Sequence, residues 1–288
     1  MMSNEETVKM LSEEGYAVKT ICETLQVSRS NYYRKAESCG NISSPRDKSN
    51  EELVELIKTV KLEHPYWGYR RVRARVSKIL GYSVNHKRIY RLMRNNGLMV
   101  DVKHYKAKRT VTRDKPRAVR KNEWWGTDMT KFYVQNVGWV YLVFVLDWYT
   151  KKIIGHKMGL KPNTGLWLDA LRAAVDGECP LGSRSYGIHL MSDNGSQPTS
   201  EKYENELKTL WIDHVTTSFS NPKGNADTER VFRTFKEDVV WPNEFDSYDR
   251  TTAEVDRWVH FYNTEYPHSS LGEISPTQFE NKIQNLAA

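Results

Sequence analysis

With 39% hydrophobic residues, 16 tyrosines and 9 tryptophans, the 288-residue chain can form more than one packed core. Its three cysteines are scattered without the spacing of a zinc site, and its longest apolar run, residues 139–146, is too short to cross a membrane. We therefore expect free thiols in a cytoplasmic protein without a membrane partner. Residues 1–122 contain 27 Lys and Arg against 13 Asp and Glu, a net charge of +14, whereas the remainder has a net charge of −7. This division suggests that the first part binds a polyanion.

Residues 1–40 have the pattern of a helix-turn-helix. Residues 5–13 and 17–25 predict two short helices, and Ser28 is placed to cap a third helix that extends to about Lys35. A polar third helix after a short turn is typical of DNA-binding proteins, and an ordinary three-helix bundle remains the alternative. Residues 40–45 then predict a linker.

Residues 48–98 predict a second helical domain. Its helices are expected at residues 50–63, 69–80 and 85–96, with glycines ending the second and third. The third helix has a narrow apolar stripe, and the rest of its surface is basic. A basic helix after a tight turn is suited to lie along a DNA groove and contact phosphates. The cations that we expect to bind DNA are Lys87, Arg88, Arg91 and Arg94.

Residues 99–122 are rich in lysine and arginine and have little apolar periodicity. This composition predicts a basic linker, which can serve as a flexible tether and also lie on DNA phosphates.

Residues 123–288 predict an α/β domain that begins with three strands and continues with alternating helices and strands. The apolar run Trp139–Leu146 indicates a strand that is covered on both faces. The three strands are expected at residues 124–135, 139–150 and 151–160. The later elements are expected as a helix at 164–175, a strand at 187–191, a helix at 200–210, a strand at 213–219, a helix that carries Glu229, and a helix at 251–263.

Three acidic residues occupy positions from which they could converge: Asp128 within the first strand, Asp193 just after a later strand, and Glu229 on a helix. On that helix, Glu229, Arg233 and Lys236 share the face opposite the buried phenylalanines. Closely packed carboxylates repel one another and raise each other's pKa, and a divalent cation removes this cost. Mg²⁺ prefers such oxygen ligands, and two ions about 3.5–4 Å apart can clamp the attacking and leaving oxygens of a phosphoryl transfer.

Other candidates are less convincing as ligands. Asp147 follows the buried strand, where a turn-forming role fits better than metal binding, and Asp227 is expected to face away from Glu229. Asp213 is expected to cap a turn. The histidines in apolar contexts are interpreted as core or surface residues; they are His156, His189 and His260.

Several motifs occur together in one order: Trp125-x-x-Asp128-x-Thr130, Ser192-Asp193-Asn194-Gly195, and Glu229 followed seven residues later by Lys236. There are 64 residues between the two aspartates and 35 between Asp193 and Glu229. Tyr262-Asn263 and the Pro-His-Ser-Ser-Leu-Gly run at 267–272 follow. In this arrangement the chain resembles bacterial insertion-sequence transposases of the OrfB type (insertion-sequence-three family), in the retroviral-integrase-like superfamily with a DDE triad.

The resemblance implies a ribonuclease-H-like catalytic domain preceded by all-α helix-turn-helix regions. It also implies DNA cleavage and 3′-hydroxyl strand transfer at insertion-sequence ends. Asp128, Asp193 and Glu229 would then be the catalytic metal ligands for two Mg²⁺ ions, with Mn²⁺ as a substitute, and Lys236 and Arg233 would bind DNA. Double-stranded DNA, further copies of the chain and an OrfA partner or fusion are the implied partners.

Two positions depart from the family pattern. Gly224 stands where the family often has aspartate, and Tyr266 stands where it usually has arginine. Two other functions remain open: a nuclease that only hydrolyses DNA, and a DNA-binding regulator whose catalytic domain is inactive.

Overall fold

The computed structural model describes residues 4–29, 45–100, 116–217 and 225–287. The chain divides into two compact units, residues 1–55 and 56–288. In the first unit, α1 (Asn4–Glu13) and α2 (Val18–Thr24) bury Val8, Ile21 and Cys22 against each other, which confirms the first two predicted helices. The predicted third helix lies almost entirely outside the described residues.

Three helices follow in the described residues. The helix α3 (Pro45–Glu63) begins five residues earlier than predicted, so the assignment of Pro45 to a linker is wrong. Proline is favoured at the first helical position, where its fixed φ suits the helix and its missing N–H has no partner to lose. The helix α4 (Tyr69–Leu80) has the predicted bounds and ends at Gly81, whose φ is +73°.

The basic helix α5 (His86–Asn95) also has nearly the predicted bounds. The side chain of Asn85 caps it by accepting a hydrogen bond from the Lys87 N–H at 2.8 Å. Gly97, with φ of +66°, ends it in a left-handed conformation that glycine adopts without strain. The predicted stripe of Ile89, Leu92 and Met93 is buried.

Five strands then form one mixed sheet in the order β3-β2-β1-β4-β5. The first three strands pair antiparallel, while β4 and β5 run parallel to β1. Parallel neighbours need helical crossovers, and helices occur where the chain passes between these strands. The strands are β1 (Trp124–Val134), β2 (Gly138–Asp147), β3 (Ile153–Gly159), β4 (His189–Ser192) and β5 (Asp213–Thr216).

Helices cover both faces of this sheet. One face packs on α6 (Thr164–Glu178) and α7 (Glu201–Thr209), with Trp125, Val143 and Val145 in the shared core. The other face carries Phe132 and Phe144, which contact the aromatic side chains of the helices after β5. The central strand β2 is therefore buried on both faces, as the apolar run predicts.

The chain after β5 contributes α8 (Ala226–Phe235), a π-helical turn (Lys236–Val240), α9 (Tyr248–Thr264) and α10 (Pro276–Ala287). Three antiparallel strands extended by parallel strands, with helices on both faces, form the ribonuclease-H-like fold, and all-α segments precede it. The predicted fold class is thereby confirmed. Among the described helices, none is both long and apolar enough to cross a membrane.

Candidate active site

The position of Asp128 follows from the alternation of side chains along β1. Trp125 points into the core on one face, so Gly126, Asp128 and Phe132 lie on the other face, towards α8. Asp128 is half-buried and pairs across the sheet with Phe144. Its Oδ1 accepts a hydrogen bond from the Met129 N–H at 2.7 Å.

Glu229 is carried to Asp128 by the packing of α8 along β1 and β2. The ring of Phe232 stacks on Phe144 with centroids 4.8 Å apart, and Phe235 meets Phe132 edge-on at 5.7 Å. Both phenylalanines are buried, which confirms the predicted core face of this helix. Glu229 lies one turn before Phe232 and is exposed.

Asp193 follows β4, the parallel neighbour of β1. The register pairs Gly126 with Met191, so continuing two residues along each strand reaches Asp128 and Asp193 at the same level. Asp193 is exposed, and its Oδ1 accepts a hydrogen bond from the Gly195 N–H at 3.1 Å. This hydrogen bond closes a local turn through Asn194 and holds the carboxylate at the strand end.

The charges of these residues act on one another. The pKa of Asp128 is raised to about 7, mainly by burial and also by the negative charges of Asp193 and Glu229, while the Met129 hydrogen bond and Lys236 oppose the rise. The three predicted carboxylates, together with Lys236, are therefore electrostatic neighbours. Lys236 is half-buried, whereas Arg233 is exposed and pairs with Glu237 at 2.8 Å.

The donor set fits a hard divalent cation, because it offers only carboxylate oxygens and because Asp128 is a half-buried acid whose surroundings and acidic neighbours disfavour its charge. Within the described ranges, no three His, Cys, Asp or Glu side chains already stand at metal-binding separation. Carboxylates without a counter-ion repel one another, so a more open arrangement is expected of the acids alone.

Gly126 has a role that its sequence context did not reveal. A Cβ atom there would lie 2.3 Å from both Thr228 Oγ1 and Trp148 Nε1, so only glycine lets the first turn of α8 approach β1 this closely. Asn225, just before α8, fastens the contact by donating from Nδ2 to the Thr127 carbonyl at 2.9 Å. In the sequence, the only sign of this role is that Gly126 stands two residues before Asp128.

The other acids and histidines are engaged elsewhere. Asp147 is fully buried and accepts hydrogen bonds from the Asn122 and Thr150 backbone N–H groups and the Thr150 hydroxyl, so it shapes the turn after β2 as predicted. Asp227 pairs with Lys151 at 2.9 Å. His156 pairs with Asp256, and His189 contacts Asp213 and stacks on Trp124.

On α5, the basic residues lie outside the buried stripe. Lys87, Arg91 and Arg94 are exposed and Arg88 is half-buried. Of the two departures, Gly224 lies outside the described residues. Tyr266 is buried, and the Arg71 guanidinium lies over its ring at 5.0 Å from the centroid.

Residues 48–106 match the model of an HTH-like domain, and residues 118–222 and 211–276 match two models of the integrase core domain. One similar protein is the transposase for insertion sequence element IS904 of Lactococcus lactis, which is 29% identical over 82% of this chain and 96% of its own length. Another is the putative transposase InsK for insertion sequence element IS150 of Escherichia coli, which is 26% identical over 96% of this chain and 98% of its own length. Among solved structures, a simian T-cell lymphotropic virus intasome matches 78% of this chain and 73% of its own at 15% identity and a TM-score of 0.45.

The integrase core models span the sheet and the three acids, and the HTH-like model spans the basic helix α5. The chain therefore belongs to the insertion-sequence transposases, polynucleotidyl transferases of DNA transposition that join an HTH-like segment to an integrase core.

Proposed function

We propose that Asp128, Asp193 and Glu229 together bind two divalent cations, Mg²⁺ or in its place Mn²⁺, and catalyse both chemical steps of transposition. The observation that supports this most strongly is that the charges of Asp193, at a strand end, and Glu229, on a helix, act on Asp128 in the neighbouring strand. When bound, such ions would activate the attacking oxygen and stabilise the leaving one.

In the first step, a water oxygen attacks phosphorus at the element's end, the bond to the 3′-oxygen breaks, and a 3′-hydroxyl and a 5′-phosphate remain. In the second step, that 3′-hydroxyl attacks a target phosphodiester, and one target 3′-oxygen leaves as the new bond forms. Neither step needs a covalent intermediate with the protein. The charge of Lys236 acts on Asp128, so Lys236 is suited to hold the scissile phosphate, and Arg233 lies one turn earlier on α8 to contact the flanking backbone.

We propose that DNA binding and catalysis are carried by different parts of the chain. Residues 1–40 and 48–98 bind DNA, with Lys87, Arg88, Arg91 and Arg94 on the phosphates. Residues 99–122 form the basic linker, and residues 123–288 carry the chemistry. We further propose that the protein acts as a homo-oligomer on double-stranded DNA and with an OrfA partner or fusion.

Metal dependence tests this proposal. Mn²⁺ binding to the full chain, followed by electron paramagnetic resonance, should be lost on Asp128→Asn and kept on Asp249→Asn, an exposed aspartate on α9. DNA cleavage and joining should proceed in Mg²⁺ or Mn²⁺ and fail in Ca²⁺. Reaction in excess chelator, or equal Mn²⁺ binding by both variants, would contradict it. Cleavage without joining would instead identify a hydrolytic nuclease.

A further inference from the structure

A cavity of about 170 Å³ lies on the far side of α8 from Glu229. On this helix, Asp227, Arg230 and Thr234 recur at three- and four-residue spacing and face the cavity, whereas Glu229 and Arg233 occupy the opposite face. Most of the remaining wall comes from α4, the turn after β2, and the segment that follows α9. The residues that carry the argument are Arg71, Lys151, Arg230, Tyr262, Tyr266 and His268.

The wall is strongly basic. Arg71, Lys151 and Arg230 contribute three cations, and the only acid in the described lining is Asp227, which pairs with Lys151 at 2.9 Å. No ion pair of Arg71 or Arg230 is found within the described parts of the chain. Arg71 is half-buried and its charge also acts on Asp238, while Arg230 is exposed, so both guanidinium groups can still donate hydrogen bonds to an anion that enters the cavity.

Buried polar groups without hydrogen-bond partners also indicate that the cavity holds a ligand or water. The hydroxyl of Tyr262 and Nε2 of His268 are shielded from solvent and have no hydrogen-bond partner among the described residues, whereas the Tyr266 hydroxyl interacts with the side chain of Thr234. Both tyrosines are only 1% exposed. Leaving a buried polar group unsatisfied costs about 1–3 kcal/mol, so two in one place are unusual unless a ligand or water satisfies them.

These three rings pack against one another and together form one wall of the cavity. The ring centroids of Tyr262, Tyr266 and His268 are 4.9 to 5.2 Å apart in each pairing. Burial, together with the charges of Arg71, Lys151 and Arg230, lowers the pKa of His268 to about 3. The three cations thus act on a single point, and the histidine beside it stays neutral and keeps one ring N–H to donate.

A site that combines guanidinium groups, hydroxyl donors and a neutral imidazole is complementary to a tetrahedral oxyanion. We propose that this cavity binds a phosphate group, supplied either by the DNA backbone or by free inorganic phosphate. Arg71 belongs to the HTH-like segment and Arg230 to the helix of Glu229, so a phosphate held here would tie α4 to α8. The alternative is a cavity filled by water alone, which would satisfy the hydroxyls and need no anion.

Thermal unfolding of the full chain in rising inorganic phosphate, at constant ionic strength with chloride, tests the proposal. A ligand that binds only the folded state raises the free energy of unfolding as its concentration exceeds Kd. Arg230→Gln should weaken phosphate binding about tenfold, as expected for one lost charge-assisted hydrogen bond of about 1.4 kcal/mol. The matched control is Arg250→Gln, which removes an exposed arginine on α9 and should leave the phosphate response unchanged.

Tyr262→Phe gives a second, independent result. It removes one hydroxyl that has no partner and keeps the buried ring, so the phosphate-free protein should be as stable as the wild type or more stable. Its phosphate response should nevertheless be smaller. A wild type that does not respond to phosphate, or an equal response in the wild type, Arg230→Gln, Tyr262→Phe and Arg250→Gln, would overturn the proposal.

Repeating the titration on the complex with duplex DNA identifies the source of the phosphate. If the DNA backbone occupies the cavity, the complex should lose its response to free phosphate, and Arg230→Gln should flatten the salt dependence of DNA binding by about 0.9 units. If free phosphate is the ligand, the complex should keep its response and the salt dependence should not change. None of these readouts measures catalysis, so they can fail while the assignment of the three acids stands, and the reverse also holds.

Discussion

Asp238 is a half-buried carboxylate outside the candidate active site. It lies in the π-helical turn after α8 and accepts hydrogen bonds from the indole N–H groups of Trp67 and Trp258, each at 3.2 Å. Burial raises its pKa from 3.8 to about 6, opposed by these bonds and by the positive charge of Arg71. The folded protein therefore binds this proton more tightly than the unfolded chain does. The resulting contribution to the free energy of unfolding is fully present below about pH 4 and is lost as the pH rises through 6.

Asp238→Asn should remove this dependence. Relative to the wild type, the free energy of unfolding of the variant should rise by on the order of 3 kcal/mol between pH 4 and 7. The asparagine NH₂ will oppose one indole N–H, but that cost is similar at every pH, so the slope is the readout. Chemical denaturation at several pH values measures it, with Asp249→Asn as the exposed control. Parallel curves for Asp238→Asn and the wild type would show that Asp238 titrates normally.

At the scale of single residues, the role of an acidic residue can be predicted from the sequence where that role depends on its neighbours along the chain. Asp147 follows an apolar strand and forms a turn, and Asp227 faces away from Glu229, both as predicted. Asp238 and Arg71 could not be predicted, because their environments come from partners far away in the chain: the Trp67 indole that bonds Asp238 is 171 residues distant.

At the scale of elements, the close approach of α8 to β1 depends on Gly126. Gly126→Ala would place a methyl group 2.3 Å from Thr228 Oγ1 and Trp148 Nε1, so the helix must move or the side chains must shift. Overpacking of this kind costs about 1–3 kcal/mol. Since Glu229 moves with α8, we expect strand transfer to fall by at least about tenfold, with DNA affinity retained.

The matched control is Gly68→Ala. Gly68 has a negative φ and no atom within 4 Å of an added Cβ, so activity and stability should change little. Activity and melting temperature of both variants, measured side by side, decide the matter. Wild-type activity in Gly126→Ala would show that the spacing of α8 and β1 does not position Glu229.

The helix α5 provides a second test at this scale. Arg91 and Arg94 are exposed and lie off its buried stripe, so replacing both by Ala should leave the fold intact. If each neutralises one DNA phosphate, log K plotted against log salt should flatten by about two units. Affinity across a salt series gives this slope, with circular dichroism to check folding and Lys282→Ala on α10 as the control. An unchanged slope in the folded double variant would place the DNA on another surface.

Most element types could be predicted because apolar periodicity and capping residues are local signals. The sequence predicts α4 and α5 almost to the residue, since Gly81, Asn85 and Gly97 mark their ends. The pairing of β4 beside β1 carries no such signal. It depends on the crossover through α6, and only the family resemblance implied that Asp193 would reach Asp128.

At the scale of the whole molecule, the HTH-like segment and the integrase core share one aromatic cluster within the unit 56–288. Trp67 is fully buried; its ring stacks with Phe261 at 6.3 Å and meets Tyr266 edge-on at 5.5 Å. Lys121, at the end of the predicted linker, pairs with Glu178 and Glu280. A division of the chain at residue 122, which the charge pattern suggests, would therefore expose buried aromatic rings, and variants of the full chain are the better probes.

The central claim is that Asp128, Asp193 and Glu229 perform the chemistry of transposition. Its most direct test is strand transfer by the full chain, using an element end that is already cut and carries a free 3′-hydroxyl. Glu229→Gln keeps the shape of the side chain and removes its charge, while Glu254→Gln makes the same change on α9 as a control. We predict that Glu229→Gln lowers strand transfer by on the order of 10²–10³-fold or more, with DNA affinity unchanged and Glu254→Gln near the wild-type rate. Strand transfer by Glu229→Gln at the wild-type rate would contradict the account.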